Sequence, residues 1–150
     1  MEQKHTYRVI GSSTTVRSGT LAAPEISPEI SFSAPPEFYG QAGQWTPEHL
    51  FVSAVASCFI STFSGMADYS KLEFRSLDVE TEGVMEKDPG GWRFTRVVLR
   101  PRLKIAHERD TERANRLLQK AENTCLVARS LACPVTLEAS VEALEYAPGV

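Results

Sequence analysis

Alternating apolar and polar positions predict a β-hairpin in the middle of the chain. The alternation runs over residues 76–86 and again over 92–105, with a Pro-Gly turn at 88–91 between the two runs. The first residues of the second run are out of phase with the rest, which predicts a bulge near Thr95.

Further strand-like runs lie on both sides of this hairpin in the sequence. Those at 7–10, 14–21 and 29–34 are separated by Gly and Pro residues, and Pro28 should break the stretch before the third run. A last strand is predicted over 134–143. Its inward-facing residues should be Val135, Leu137, Ala139 and Val141.

An uncharged stretch over residues 50–67 predicts a long helix. Thr46 is a suitable N-cap and Pro47 suits the first helical position, so the helix should run from there to about Tyr69. A helix that is apolar on most sides must be covered on most sides. Its many serines favour cover by protein, at an oligomer interface, over a membrane span.

A second helix should begin near Asp110 or Thr111. Apolar residues then follow helical spacing up to Cys125, which places that cysteine on or just past the buried face. The order of strands, helix, hairpin, helix and strand predicts an α+β fold with a mainly antiparallel sheet. A length of 150 residues fits one domain spanning 1–150.

Composition and charge exclude several classes of protein. A hydrophobic fraction of 42% and a charged fraction of 23% are those of an ordinary globular chain. The net charge of −3 argues against a dedicated nucleic-acid binder. The basic stripe on one hairpin strand faces an acidic stripe on the other, so cross-strand pairing explains both.

The N-terminus has no apolar leader, and we expect a reducing cytoplasm as the location.

The three cysteines are too few for a disulfide scaffold, and their spacing from the histidines matches no metal site. We therefore expect no metal. Cys58 and Cys125 could form a redox pair if their helices pack together, or they could be inert core residues. Cys133, at the start of the last strand, is expected to be a packing residue without a chemical role.

Residues 35–59 combine a Gly-rich loop, a Pro-Glu-x-Leu helix start and an Ala-x-Cys-Phe motif, and residues 121–142 contain two further cysteines. These segments resemble the OsmC/Ohr family of thiol peroxidases, with residues 121–142 similar to its second cysteine block. The organic-peroxide members usually read Cys-Pro-Tyr-Ser there, whereas this chain reads Cys-Leu-Val-Ala, which indicates an OsmC-like branch. The resemblance implies antiparallel sheets with two main helices in an intertwined homodimer.

The resemblance also implies roles for individual residues. Cys58 matches the peroxidatic cysteine and Cys125 the resolving cysteine, while Glu48 and Arg17 match the residues that activate the thiol. Glu48 and Cys58 lie about 15 Å apart along one helix, so a site using both with Arg17 should draw on two subunits. The remaining implied site residues are the possible walls of a substrate pocket, for which core packing is the alternative: Phe51, Phe59 and Phe63.

The expected activity is the reduction of organic hydroperoxides, with hydrogen peroxide as an open alternative substrate. The reaction needs no bound cofactor, because an external thiol or a lipoyl-type dithiol supplies the electrons. The expected partners are thus a second copy of the chain, the hydroperoxide and the reductant, with neither nucleic acid nor membrane. The competing hypothesis is a non-catalytic binder that holds a small apolar ligand on the same fold.

Overall fold

A computed structural model describes residues 3–145, which divide into two compact units at Phe51 and Val52. The first unit contains three strands, β1 (Ile10–Thr15), β2 (Ser18–Ala23) and β3 (Ile26–Ser33), and the start of helix α1 (Pro47–Ser70). The second unit contains the rest of α1, followed by β4 (Phe74–Asp88), β5 (Gly91–Ile105), α2 (Thr111–Thr124), α3 (Leu126–Arg129), β6 (Val135–Leu137) and β7 (Ser140–Ala143).

The first unit is built on an antiparallel sheet in the order β1-β2-β3. The predicted run 14–21 is interrupted by the turn between β1 and β2, where Arg17 has a φ of 62°. Pro28 does not break the chain as expected but lies inside β3, after a cis peptide bond with Ser27. A proline can occupy a strand where no ladder hydrogen bond is required of its nitrogen.

Helix α1 begins and ends with well-formed caps. The His49 N–H donates to Thr46 Oγ1 at 3.1 Å, which confirms Thr46 as the N-cap. At the other end, Lys71 adopts a left-handed conformation with a φ of 57°. The N–H groups of Lys71 and Leu72 then donate to the carbonyls of Asp68 and Ala67, at 3.2 and 2.8 Å, in a Schellman arrangement.

The predicted hairpin is confirmed, including its bulge. β4 and β5 pair in antiparallel register from Phe74↔Ile105 to Asp88↔Gly91. The register steps from Val84↔Arg96 to Met85↔Phe94, so Thr95 is the extra residue. Its hydroxyl donates to the carbonyl of Val84 at 3.3 Å.

The predicted last strand is present as two segments, β6 and β7, both parallel to β5. The Glu138 N–H donates to the carbonyl of Leu99 at 2.8 Å, and the next donor in this ladder would be the nitrogen of residue 101. That residue is Pro101, which has no N–H, so the ladder stops there and resumes at Ser140. Ala139 lies in the interruption and is exposed, contrary to the prediction that it faces inward.

The core of the second unit contains one face of α1, the inward face of β5 and one face of α2. Its largest fully buried side chains include Phe59, Phe63, Leu99, Leu103, Ile105 and Leu118. The backbone of β4 approaches α1 closely at Gly83, where a Cβ atom would lie 2.5 Å from Val52 Cγ2 and 2.8 Å from Phe94 Cε1. Only a residue without a side chain fits this contact.

The opposite face of α1 is largely uncovered within one chain. The helix is long and apolar enough to cross a membrane by length and composition, and 22% of its most apolar window is buried. Core helices of globular proteins pass the same test, so this property does not establish a span.

Candidate functional site

The structure brings Cys58 and Cys125 together within the second unit. Cys58 lies in the middle of α1 and is half-buried, whereas Cys125 follows the last residue of α2 and is fully buried. The two thiols are hydrogen-bonded to each other, and neither cysteine forms a disulfide. The two cysteines that sequence reasoning left open as a pair are therefore neighbours.

The neighbours of Cys58 favour its thiolate form. Burial raises the pKa of the Cys58 thiol, but hydrogen bonds from the backbone N–H of Val127 and from the side chains of Cys125 and Thr62 lower it. The net pKa lies below the ordinary value of a cysteine. The Thr62 hydroxyl lies 4.0 Å from Cys58 Sγ, one helical turn further along α1.

The pKa of Cys125 moves in the opposite direction. Burial raises the pKa of this thiol, and the backbone N–H of Ala128 lowers it in part. The hydrogen bond to Cys58 and the charge of the Cys58 thiolate raise it further. One thiol of the pair is thus ionised more easily than usual and the other less easily, a separation typical of groups with different chemical tasks.

The backbone donors that face Cys58 result from a break in the helical path. Cys125 has a ψ of 119°, which ends α2, and α3 begins at the next residue. The first N–H groups of a helical turn have no acceptor within that turn. Those of Leu126 and Val127 instead contact Cys58. The sequence predicted neither α3 nor these donors.

Arg17 and Glu48 both belong to the first unit. The guanidinium carbon of Arg17 lies 5.6 Å from the centre of the Tyr39 ring, a cation–π contact. Glu48 lies in the first turn of α1, where a carboxylate is favourable. Its Oε2 atom is buried and has no hydrogen-bond partner within residues 3–145. Their predicted action on Cys58 stays a prediction.

Comparison with known sequences identifies the family. Residues 40–140 match the family described as OsmC-like protein. This chain belongs to the OsmC-like family. An uncharacterised protein of Bacillus subtilis strain 168, YmaD, is 31% identical over 133 residues, which cover 85% of this chain and 84% of that protein.

Solved OsmC-like structures confirm the predicted α+β fold. An OsmC-like protein of unknown function from Vibrio cholerae superimposes with a TM-score of 0.82 at 21% identity, covering 91% of this chain and 99% of that one. The organic hydroperoxide resistance protein OsmC from Legionella pneumophila gives a TM-score of 0.72 at 23% identity, covering 93% and 99%. At these identities the similarity establishes the fold alone.

The three phenylalanines of the predicted pocket differ in their surroundings in this OsmC-like chain. Phe59 and Phe63 are fully buried, and Phe63 contacts Phe74 edge-to-face with ring centres 5.5 Å apart. Both therefore pack in the core of the second unit, whereas Phe51 is half-buried. Their part in a substrate pocket stays a prediction.

Cys133 lies before β6 and is 8% exposed. No group of three or more His, Cys, Asp or Glu side chains within residues 3–145 is arranged to hold a metal ion.

Proposed function

We propose that this protein is a thiol peroxidase that reduces organic hydroperoxides, with Cys58 as the peroxidatic and Cys125 as the resolving cysteine. The observation that carries this proposal is the contact between two thiols whose pKa values are shifted in opposite directions. Membership of the OsmC-like family supports it, as do fold relatives whose names state organic hydroperoxide resistance.

In the first step the Cys58 thiolate attacks the terminal oxygen of the hydroperoxide. The S–O bond forms as the O–O bond breaks, which leaves Cys58 as a sulfenic acid and releases the alcohol after the alkoxide takes a proton. The donors around Cys58 serve this step because they increase the fraction of thiolate at neutral pH.

In the second step Cys125 attacks the sulfenic sulfur, releases water and forms a disulfide with Cys58. The thiolate charge of Cys58, which raises the pKa of Cys125, disappears once Cys58 is oxidised. Cys125 then ionises more easily than before. The resolving thiol is thus held protonated until its partner has reacted.

Reduction of the disulfide completes the cycle. We propose that an external thiol or a lipoyl-type dithiol attacks the disulfide and returns both cysteines to the reduced state, so that no bound cofactor takes part. The proposed location is a reducing cytoplasm, where such thiols are available.

We further propose that the working form is a homodimer with a composite site. Ten residues, or about 15 Å of helix, separate Glu48 from Cys58, so a single guanidinium cannot contact both within one chain. Glu48 offers a buried carboxylate oxygen that lacks a donor within the described chain, and the Arg17 guanidinium supplies such donors. The uncovered face of α1 supports packing against a second copy.

Peroxide consumption with dithiothreitol as the electron donor tests the proposed activity. We expect Cys58→Ser to abolish turnover of tert-butyl hydroperoxide. Cys125→Ser should turn over more slowly than the wild type, because its Cys58 sulfenic acid must then react directly with dithiothreitol. Cys133→Ser is the matched control and should keep the wild-type rate. Wild-type turnover no faster than that of Cys58→Ser would overturn the proposal and favour the non-catalytic binder of an apolar ligand.

A further inference from the structure

The C-terminal end of α1 is tied to the start of α2 by one side chain. Arg113 Nη1 donates to the carbonyl oxygen of Ser70 at 2.7 Å, and Nη2 donates to Asp110 Oδ1 at 3.2 Å. Asp110 immediately precedes α2, so its carboxylate orients the planar guanidinium toward the end of α1.

The hydrogen bond to Ser70 satisfies a carbonyl group at the C-terminal end of α1. The last carbonyls of a helix have no intrahelical donor. The Schellman arrangement uses those of Ala67 and Asp68, and Arg113 provides the donor for Ser70. A cation at this end also interacts favourably with the helix dipole. Arg113, a residue of α2, therefore caps the C-terminal end of α1.

The two cysteines lie at matching distances from this contact. Twelve residues separate Cys58 from Ser70 along α1, and twelve separate Arg113 from Cys125 along α2. Each interval corresponds to about 18 Å of helix. In addition to the shared core, the Arg113–Ser70 contact and the cysteine pair join the two helices at opposite ends of these intervals. A tilt of about 5° at the Arg113–Ser70 contact would move a thiol at the cysteine pair by roughly 1.5 Å.

We infer that Arg113 is a positioning residue that sets the separation of Cys58 and Cys125. The inference rests on the proposed function in so far as the two cysteines work as a redox pair. Reactions between bound groups are sensitive to displacements of this size, since about 1 Å can change a rate by as much as a hundredfold. Loss of the Arg113 contact should lower the effective concentration of one thiol at the other.

Equilibration with glutathione measures this effective concentration without any peroxide. Oxidised glutathione takes two electrons and two protons from the Cys58 and Cys125 thiols, which yields the protein disulfide and two molecules of reduced glutathione. We expect Arg113→Ala to lower the equilibrium constant for disulfide formation about tenfold, which corresponds to about 30 mV for a two-electron couple. Arg113→Lys keeps a donor for Ser70 and should recover part of the loss.

Arg116→Ala is the matched control, because Arg116 lies one turn further along α2 and its ion pair within residues 3–145 is with Glu112, at 4.0 Å. Its constant should equal that of the wild type. Asp110→Asn leaves the Ser70 contact but removes the charge that orients Arg113, so it should lower the constant about threefold. If Arg113→Ala does not fold, Arg113→Lys and Asp110→Asn decide the question.

The inference and the proposed function can fail separately. Constants equal to the wild-type value in the folded Arg113 and Asp110 variants would overturn the positioning role, even if the protein consumed peroxide. The opposite result is also possible: the wild type consumes no peroxide, but Arg113→Ala has a lower equilibrium constant for disulfide formation than the wild type. That result would support the positioning role and overturn the peroxidase proposal. A wild-type pair that formed no disulfide at any ratio of the glutathiones would overturn both.

Discussion

The reactivity of Cys58 is a property of its neighbours. Its burial alone would raise the pKa and make the thiol inert, as the residue type and its place in an apolar helix indicate. The hydrogen bonds from Val127, Cys125, Thr62 and Leu126 reverse that direction. The balance between burial and donors therefore decides whether Cys58 is a reagent or a packing residue.

Removal of one of these donors should slow Cys58 at neutral pH. Thr62→Val keeps the shape of the side chain and removes the hydroxyl, so we expect the pKa of Cys58 to rise. A higher pKa leaves less thiolate, and alkylation by iodoacetamide at pH 7 should slow about threefold. The rates of variant and wild type should converge as the pH rises above both pKa values.

Thr62→Ser retains the hydroxyl and serves as the control for this experiment. Its rate profile against pH should follow that of the wild type. Profiles that coincide for wild type, Thr62→Ser and Thr62→Val would mean that the hydroxyl has no influence on the thiol, and that Cys125 and the backbone donors of α3 offset its burial.

At this scale the sequence predicted the cysteines but not their donors. Cys58 and Cys125 were found through helical spacing and the family motif. Thr62 could have been found from its i+4 spacing to Cys58, which places both on one helix face. The N–H groups of Leu126 and Val127 carry no residue-type signal, because every residue except proline has one.

At the scale of elements, α1 is the least self-sufficient part of the chain. Its fully buried residues recur every fourth position, at Val55, Phe59, Phe63 and Ala67, and form a single stripe. Other apolar residues of the helix lie outside this stripe. One of them is Ile60, which is 37% exposed. Because α1 is apolar on most sides, it needs a second covering surface on the side away from this stripe. The proposed dimer provides that surface.

A charge on the uncovered face of α1 should therefore weaken the dimer. Ile60→Glu would place a carboxylate in the proposed interface, where its desolvation is unfavourable. We expect the variant to sediment as a monomer at concentrations at which the wild type is a dimer. Asn115→Glu adds the same charge to the exposed side of α2 and should remain dimeric. A wild-type protein that is monomeric throughout would refute the composite site.

The strands show which features of an element can be predicted from its own sequence. The bulge at Thr95 was found because it shifts the phase of apolar positions within β5 itself. The interruption between β6 and β7 was missed because its cause, Pro101, lies on the neighbouring strand. Alternation within 134–143 records which face is buried, and it carries no information about the donors of the partner strand.

At the scale of the whole molecule, Cys58 and Cys125 connect distant parts of the chain. They are 67 positions apart, and the β4–β5 hairpin and all of α2 lie between them. The proposed disulfide would remove many conformations from the unfolded chain, because a long loop is closed. The redox state of the pair should then be visible in global stability.

We expect the oxidised protein to be more stable than the reduced protein by up to about 4 kcal/mol, the loop-closure value for this separation. Strain in the bond would reduce the gain. Denaturant unfolding of the wild type, carried out with and without reductant, measures the difference. In Cys58→Ser the two curves should coincide, since the proposed Cys58–Cys125 disulfide cannot form. A wild-type curve that does not depend on reductant would contradict the prediction, provided that mass spectrometry confirms the disulfide.

The exposed hairpin tip at Pro89 and Gly90 lies inside the loop that this disulfide would close. In the reduced state the chain is a line, and a break at the tip divides it into two pieces. In the oxidised state the chain is a ring with two tails, and a break at the same peptide bond opens the ring but leaves the two pieces covalently joined. Each turnover would therefore change the connectivity of the polypeptide, and the hairpin would alternate between a connecting segment and part of a closed circuit.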